Sequence, residues 1–240
     1  RNFIYLFPQI AFTLKKLSEI PTNYEEKQRI GENDDPISQM IREDSIEEFI
    51  TYVNKNEYPL NSYIKKSIFE TNDFLIKHNE TRLIEYAAFF GSTQIFKYLY
   101  KNGVELTSSL WLYGIHSDNA EMIYLLEENE VEPPNQSYEE CIKESIKCHH
   151  NDIVNYLQSN YLNEDIKSID DIDFKQCYDE NIYSYSYHYY NFSHFPHEIN
   201  NKINFYYACQ YDYIKLVEYF LKKKQIDIKE KIIFNFNCSL

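Results

Sequence analysis

The sequence predicts an all-α protein built as a solenoid of stacked helix-turn-helix units. Three observations carry that prediction. Only four glycines and seven prolines interrupt 240 residues, so little breaks regular structure. Short apolar clusters recur at helical spacing. Those clusters also align on one internal pattern, the signature of a repeat architecture.

The alignment rests on four apolar pairs: Ile95-Phe96, Met122-Ile123, Ile153-Val154 and Leu216-Val217. Each is followed by a second pair, Tyr98-Leu99, Leu125-Leu126, Tyr156-Leu157 and Tyr219-Phe220. Eight residues before each reference position stands a small side chain: Ala87, Gly114, Ser145 and Ala208. Eleven before it stands a large apolar one, Ile84, Trp111, Ile142 or Phe205, and three-residue spacing puts large and small on the same helical face. Four before it come Gly91, Asp118, His149 and Asp212, residues that tolerate left-handed backbone or cap a following helix. Each unit therefore reads as a first helix, a tight turn and a second helix with a four-residue apolar stripe. The small residue is expected to let neighbouring hairpins approach. A single hairpin buries only one side of its apolar surface, so the units gain stability by stacking.

The clearest units span 82–104, 109–131, 140–161 and 203–224. Their reference positions lie 27, 31 and 63 residues apart, and the last gap implies a degenerate unit at 172–192. With Tyr185 as its reference, Phe174, Cys177 and Asn181 take the large, small and turn positions. A second degenerate unit at 36–56 is marked by Ile37, Ile41, Asp44, Phe49 and Tyr52, with Glu48 in an apolar slot. Residues 1–35 read as an N-terminal helical cap or extension, 36–230 as the repeats and 231–240 as a C-terminal tail. The stretches 56–79 and 161–203 are long for connections, and loops of that length are often functional or disordered.

The formal charge of -14, from 38 acidic and 24 basic side chains, repels phosphate backbones and anionic membranes. Nucleic acid is an unfavourable ligand on that ground. No run of about 18 uncharged apolar residues is available to span a bilayer, so no membrane insertion is expected. Five scattered cysteines, Cys141, Cys148, Cys177, Cys209 and Cys238, are an odd number in a chain too large to need a disulfide frame, which points to reduced thiols and a cytoplasmic setting. Four Asn-x-Ser/Thr sequons begin at Asn79, Asn135, Asn191 and Asn237, as an Asn-rich sequence produces by chance. The sequence starts at Arg1, as a fragment of a longer chain would, and an upstream targeting segment is compatible with it.

These residues resemble the ankyrin repeat. Leu83 to Val104 match best, with Ala87-Ala88, Gly91, Ile95-Phe96, Leu99 and Gly103 at the family's structural positions. Cys148 to Val154 and Tyr207 to Tyr219 give further matches, and the resemblance covers roughly residues 36 to 230. More narrowly, the chain resembles divergent, Asn-rich ankyrin-like proteins of parasitic protozoa. The Thr-Pro-Leu-His opening of a typical unit is absent, which puts projecting β-turn fingers in doubt but not the stacked helices. The resemblance implies an ankyrin-type solenoid and a protein-binding scaffold or adaptor without catalytic residues or cofactor.

Candidate contacts with a protein partner lie in the unit-joining loops: Glu105, Thr107 and Ser108, and Glu132, Pro133, Asn135 and Gln136. The acidic cluster Glu127, Glu128, Glu130, Glu132 and Glu139-Glu140 suits a partner with a basic surface. Two alternatives stand beside this reading. One is a metal or thiol enzyme using the Cys/His-rich residues 141–197, where Cys141, Cys148, His149, His150, His194 and His197 offer ligands in poor zinc spacing. The other is a structural segment of a longer array. Cys177 and Cys209 fall on packing positions and are expected to be inert. No Gly-rich phosphate loop, Gly-x-Ser-x-Gly or His-Glu-x-x-His motif occurs.

Overall fold

A computed structural model describes residues 23–78, 80–162, 182, 184–194 and 201–223. The described chain is helical, without a strand and with one isolated antiparallel bridge, Tyr63 to Arg82. It divides into two compact units, 1–132 and 133–240.

The first unit holds α1 (Tyr24–Ile30), α2 (Pro36–Arg42), α3 (Ile46–Asn56), α4 (Asp73–Lys77), α5 (Leu83–Phe90), α6 (Thr93–Lys101), α7 (Leu110–His116) and α8 (Ala120–Glu128). Three hairpins result, α2/α3, α5/α6 and α7/α8. Helix α5 packs against both α2 and α7, and α6 against α3. The second unit holds α9 (Glu139–Cys148), α10 (Asn151–Leu157), α11 (Asn201–Gln210) and α12 (Ile214–Lys222). Residues 184–188 are also helical.

The same kind of turn recurs among the described residues. Asp44, Gly91, Asp118, His149, Tyr190 and Asp212 all have φ between 49° and 67°, the left-handed conformation that ends a helix without prolonging it. The residue after the turn then donates its N–H back five positions. Ser45 bonds the Met40 carbonyl at 3.0 Å, Ser92 that of Ala87 at 2.9 Å, His150 that of Ser145 at 3.0 Å, Asn191 that of Ser186 at 2.9 Å and Tyr213 that of Ala208 at 2.8 Å. In the hairpin closed by Asp118, Asn119 N–H instead donates to Ser117 Oγ at 3.2 Å.

The small residues Ala87, Gly114, Ser145 and Ala208 all lie buried inside first helices. At Gly114 the small size serves its own hairpin, where the approach of neighbouring hairpins was expected. A Cβ there would meet Leu126 Cδ1 at 3.0 Å and Met122 Cγ at 3.4 Å, both on the second helix of its own hairpin, so the slim residue lets α7 and α8 close on each other. The large residues Ile84, Trp111 and Ile142 are fully buried, and Trp111 Nε1 donates to the Val131 carbonyl at 2.6 Å. Phe205 is half-buried. On the second helices, Leu99, Leu126, Leu157 and Phe220 are buried while Tyr156 and Tyr219 are exposed. The expected four-residue stripe is thus three apolar residues with a tyrosine at its margin in those hairpins. Phenol rings can take that place because one end is apolar and the other accepts water.

Side chains in the turns tie hairpins together. Asp44 accepts from the N–H groups of Gln94 and Ile95 at 3.0 Å each, and so caps α6 of the next hairpin. Ser92 Oγ donates to the Ile41 carbonyl, and Asn119 Nδ2 to that of Gly91 at 3.2 Å. In the second unit, Asn191 Nδ2 donates to the Ile146 carbonyl at 3.0 Å and to Asn151 Oδ1 at 2.9 Å.

Within 172–192 the described residues hold one such turn, close to the end of the span. The left-handed residue is Tyr190, nine positions after Asn181, and the buried small residue is Ser186. Phe174, Cys177 and Asn181 lie outside the described residues, as do residues 1–22, the tail 231–240 and His197. Among the described residues no helix is long and apolar enough to cross a membrane.

Candidate partner-binding surface

The unit-joining loops place the seven candidate contacts unequally. Glu105 and Ser108 are exposed, whereas Thr107 is half-buried and belongs to an internal network. Its hydroxyl lies 2.5 Å from Arg82 Nη2 and 2.8 Å from Ser109 Oγ. Ser109 in turn donates to Glu85 Oε1 at 2.7 Å, and Glu85 Oε2 accepts the Arg82 N–H at 2.8 Å. The buried Glu85 carboxylate is thereby supplied with donors, as a buried charge must be. Arg82 Nη1 also reaches the Glu105 carbonyl at 3.4 Å. This network positions the loop and leaves the Glu105 and Ser108 side chains to solvent. Glu132, Asn135 and Gln136 are exposed and Pro133 is half-buried. Asn135 and Gln136 both take left-handed backbone, and Asn135 Nδ2 donates to Glu140 Oε1 at 3.0 Å.

A second surface involves the long connection at 56–79, whose packing the sequence did not show. Residues 57–78 run from α3 to the turn before α5 as a strap, and their short helix α4 lies on the aromatic residues of α5 and α7. Phe74 sits 5.8 Å from the Phe89 ring, 5.0 Å edge-on to Tyr113 and 4.1 Å from His116. His116 stacks on Phe89 at 4.9 Å. Phe74 and Leu75 are each 8 % exposed, and their burial contributes roughly 1.5–3 kcal/mol per side chain. Asn72 caps α4 by accepting from Phe74 and Leu75 N–H at 3.0 and 3.3 Å. A small pocket of about 50 Å³ lies largely within the strap itself, bordered by Ile64, Lys65, Lys66, Glu70, Leu75 and Ile76, with Tyr86 of α5 at its edge.

A polar cluster around Arg42 adjoins the strap, to which Asn33 Nδ2 donates at the Lys65 carbonyl at 2.7 Å. Arg42 reaches Glu32 at 3.0 Å, the Asn33 carbonyl at 2.8 Å and Tyr86 Oη at 3.1 Å. Burial pushes the Tyr86 phenol up to about 12, against the pull of Arg42. Burial likewise raises the Glu70 carboxyl above its ordinary value, while the Asn72 N–H and others pull it down. Asp34 goes the other way: burial raises it, but hydrogen bonds from Lys27 and Ser67 outweigh that and hold it low.

The thiols divide. Cys141 is fully buried, and burial with Glu140 beside it pushes its pKa up to about 12, so it holds little thiolate at neutral pH. Cys209 is exposed, which corrects its expected packing position. It follows Ala208 by one residue, about 100° around α11, so burying Ala208 turns Cys209 outward. His149 occupies a turn, as the alignment placed it.

The candidate interaction surfaces of this chain are therefore two exposed loops, while the aromatic face is covered by the chain's own strap. Comparison with protein families, with curated proteins and with solved structures finds no match to the chain.

Proposed function

We propose that the chain is a protein-interaction scaffold or adaptor built on ankyrin-type repeats, with no catalytic role. The observation that carries this reading is the recurrence of one closure, a left-handed residue followed by a bond back to the first helix, in successive hairpins joined by turn side chains. Such a framework leaves the loops between hairpins at the surface, which suits recognition of a protein partner. Glu105, Ser108, Glu132, Asn135 and Gln136 are the proposed contacts, and the charge of -14 favours a partner with a basic surface. The setting is cytoplasmic on this reading. The rival reading, a metal or thiol enzyme at 141–197, loses Cys141 as an accessible thiol, because burial removes it from solvent and pushes its pKa up to about 12.

The test is affinity capture from native lysate with the intact chain and with a variant carrying Glu105→Lys, Ser108→Ala, Glu132→Lys and Gln136→Ala. A protein retained by the first and lost with the second, both chains having the same helix signal, supports the assignment. Identical capture by both removes the loops from it.

A further inference from the structure

We propose that the Asn102-Gly103 peptide at the end of α6 is a modification site, where the folded chain converts asparagine to aspartate and isoaspartate without an enzyme. The Gly103 backbone nitrogen attacks Asn102 Cγ, the Cγ–Nδ2 bond breaks, and ammonia leaves with the nitrogen's proton. Water then opens the cyclic imide at one of its two carbonyl carbons. Opening at the side-chain carbonyl of Asn102 gives aspartate, and opening at its backbone carbonyl gives isoaspartate.

Three helix ends of the first unit differ in the one feature this chemistry needs. Asn56 ends α3, and Asn102 and Asn129 follow α6 and α8. Each donates Nδ2 to the carbonyl four residues back, at 2.7, 2.8 and 2.7 Å. The next residue, Glu57, Gly103 or Glu130, takes left-handed backbone each time. Its N–H is bonded to the carbonyl of Val53, Tyr100 or Glu127. The three ends therefore hold the leaving amide and the attacking nitrogen alike. Glu57 and Glu130, however, carry a Cβ beside that nitrogen. Gly103 carries none, and nothing lies within 4 Å of where one would stand, so its nitrogen is open to approach and its backbone is free to turn. No other Asn-Gly occurs in the sequence.

Both reacting groups are engaged in the closed turn, so the reaction waits on its opening. Lys101, Asn102 and Gly103 are all exposed, and segments with few buried side chains are the ones that open locally in a folded protein. Isoaspartate then adds Cβ to the main chain just ahead of Val104, whose side chain is 2 % exposed and whose N–H returns to the Leu99 carbonyl at 3.2 Å. That bond is lost, and the loop carrying Glu105 and Ser108 loses its fixed start.

Incubation of the full chain in mildly alkaline buffer, native and unfolded in urea, tests this, with peptide mapping by mass spectrometry and labelling by an isoaspartyl methyltransferase. In the native chain, Asn102 is expected to convert at least tenfold faster than Asn56 and Asn129. In urea it should convert at least tenfold faster than in the native chain. Gly103→Ser, compared in urea where the turn is absent, should slow it at least tenfold. Conversion spread evenly over the three asparagines, or none at Asn102 in the native chain, overturns the proposal. Equal rates in urea and in the native chain overturn the gating by the turn. The amides of 104–108 should exchange at least tenfold faster in the isoaspartyl chain than in a chain carrying Asn102→Gln after the same incubation, and equal exchange removes the effect on the loop.

Discussion

A single residue with positive φ decides where each first helix stops, and the cost of that conformation depends on its side chain. Gly91 takes it freely, whereas His149 at φ 62° has a Cβ crowded against its own backbone. His149→Gly is therefore expected to raise stability by about 0.5–1 kcal/mol, the strain relieved exceeding the entropy that glycine adds to the unfolded chain. Chemical denaturation followed by circular dichroism checks this, and a lowered midpoint refutes it. At Gly114 the sign depends on size. Alanine gains about 1 kcal/mol of helix propensity over glycine, but its Cβ presses the mobile end of Leu126 at 3.0 Å, so Gly114→Ala should be near neutral. Gly114→Val drives a second methyl toward Met122 and should cost about 1–3 kcal/mol. Gly91, Asp118, His149 and Asp212 were legible in the sequence because few residue types suit a left-handed turn. Tyr190 was not, because tyrosine is not among them, and its turn is held instead by the bonds of Asn191 to the neighbouring hairpin.

An element in this fold is secured by its neighbour, and α6 shows it. Its first N–H groups are capped by Asp44, fifty residues away in the preceding turn. Asp44→Ala should cost about 1–2 kcal/mol, as loss of a good cap does, while Asp44→Asn keeps an acceptor and most of the stability. Both Asp44 oxygens accept and asparagine keeps only one acceptor, so equal losses in both variants would mean that the second acceptor or the charge is indispensable. The strap gives a pH-dependent case. Burial raises the Glu70 carboxyl above its ordinary 4.5, so the ionised form costs stability above the raised value and the cost disappears below 4.5. Glu70→Gln, which keeps an oxygen for the Asn72 N–H, should stabilise the chain at neutral pH and make no difference below 4.5. Asp34, whose carboxyl is held low by Lys27 and Ser67, has the opposite sign: its contribution is full above 3.8 and fades as pH falls below that. It acts in both chains alike, so the difference between them isolates Glu70. The hairpins were legible because helices of seven to eleven residues show a 3.6-residue period. The strap was not, because five helical residues show none.

The division of the chain at 132/133 falls in the Glu132-Pro133-Pro134 connection, and the bonds that join hairpins in the first unit stay within it. Asp44 to α6, Ser92 to Ile41, Asn119 to Gly91 and Phe74 to α7 are all internal. Its last hairpin is closed by Trp111 donating to Val131, one residue before the boundary. The irregular gaps of 27, 31 and 63 residues hid this division, since a repeat alignment weights every unit equally and carries no measure of which hairpins share bonds. The fragment 1–132 is accordingly expected to unfold in one cooperative step. Trp111 is the chain's single tryptophan, so its fluorescence reports the first unit alone while far-ultraviolet circular dichroism reports both. If the first unit is self-sufficient, the fluorescence midpoint in urea is the same in the intact chain and in fragment 1–132, and in the fragment both probes coincide. A fluorescence transition that moves to markedly lower urea when 133–240 is removed, or that separates from circular dichroism within the fragment, would show that the second unit supplies stability the first lacks.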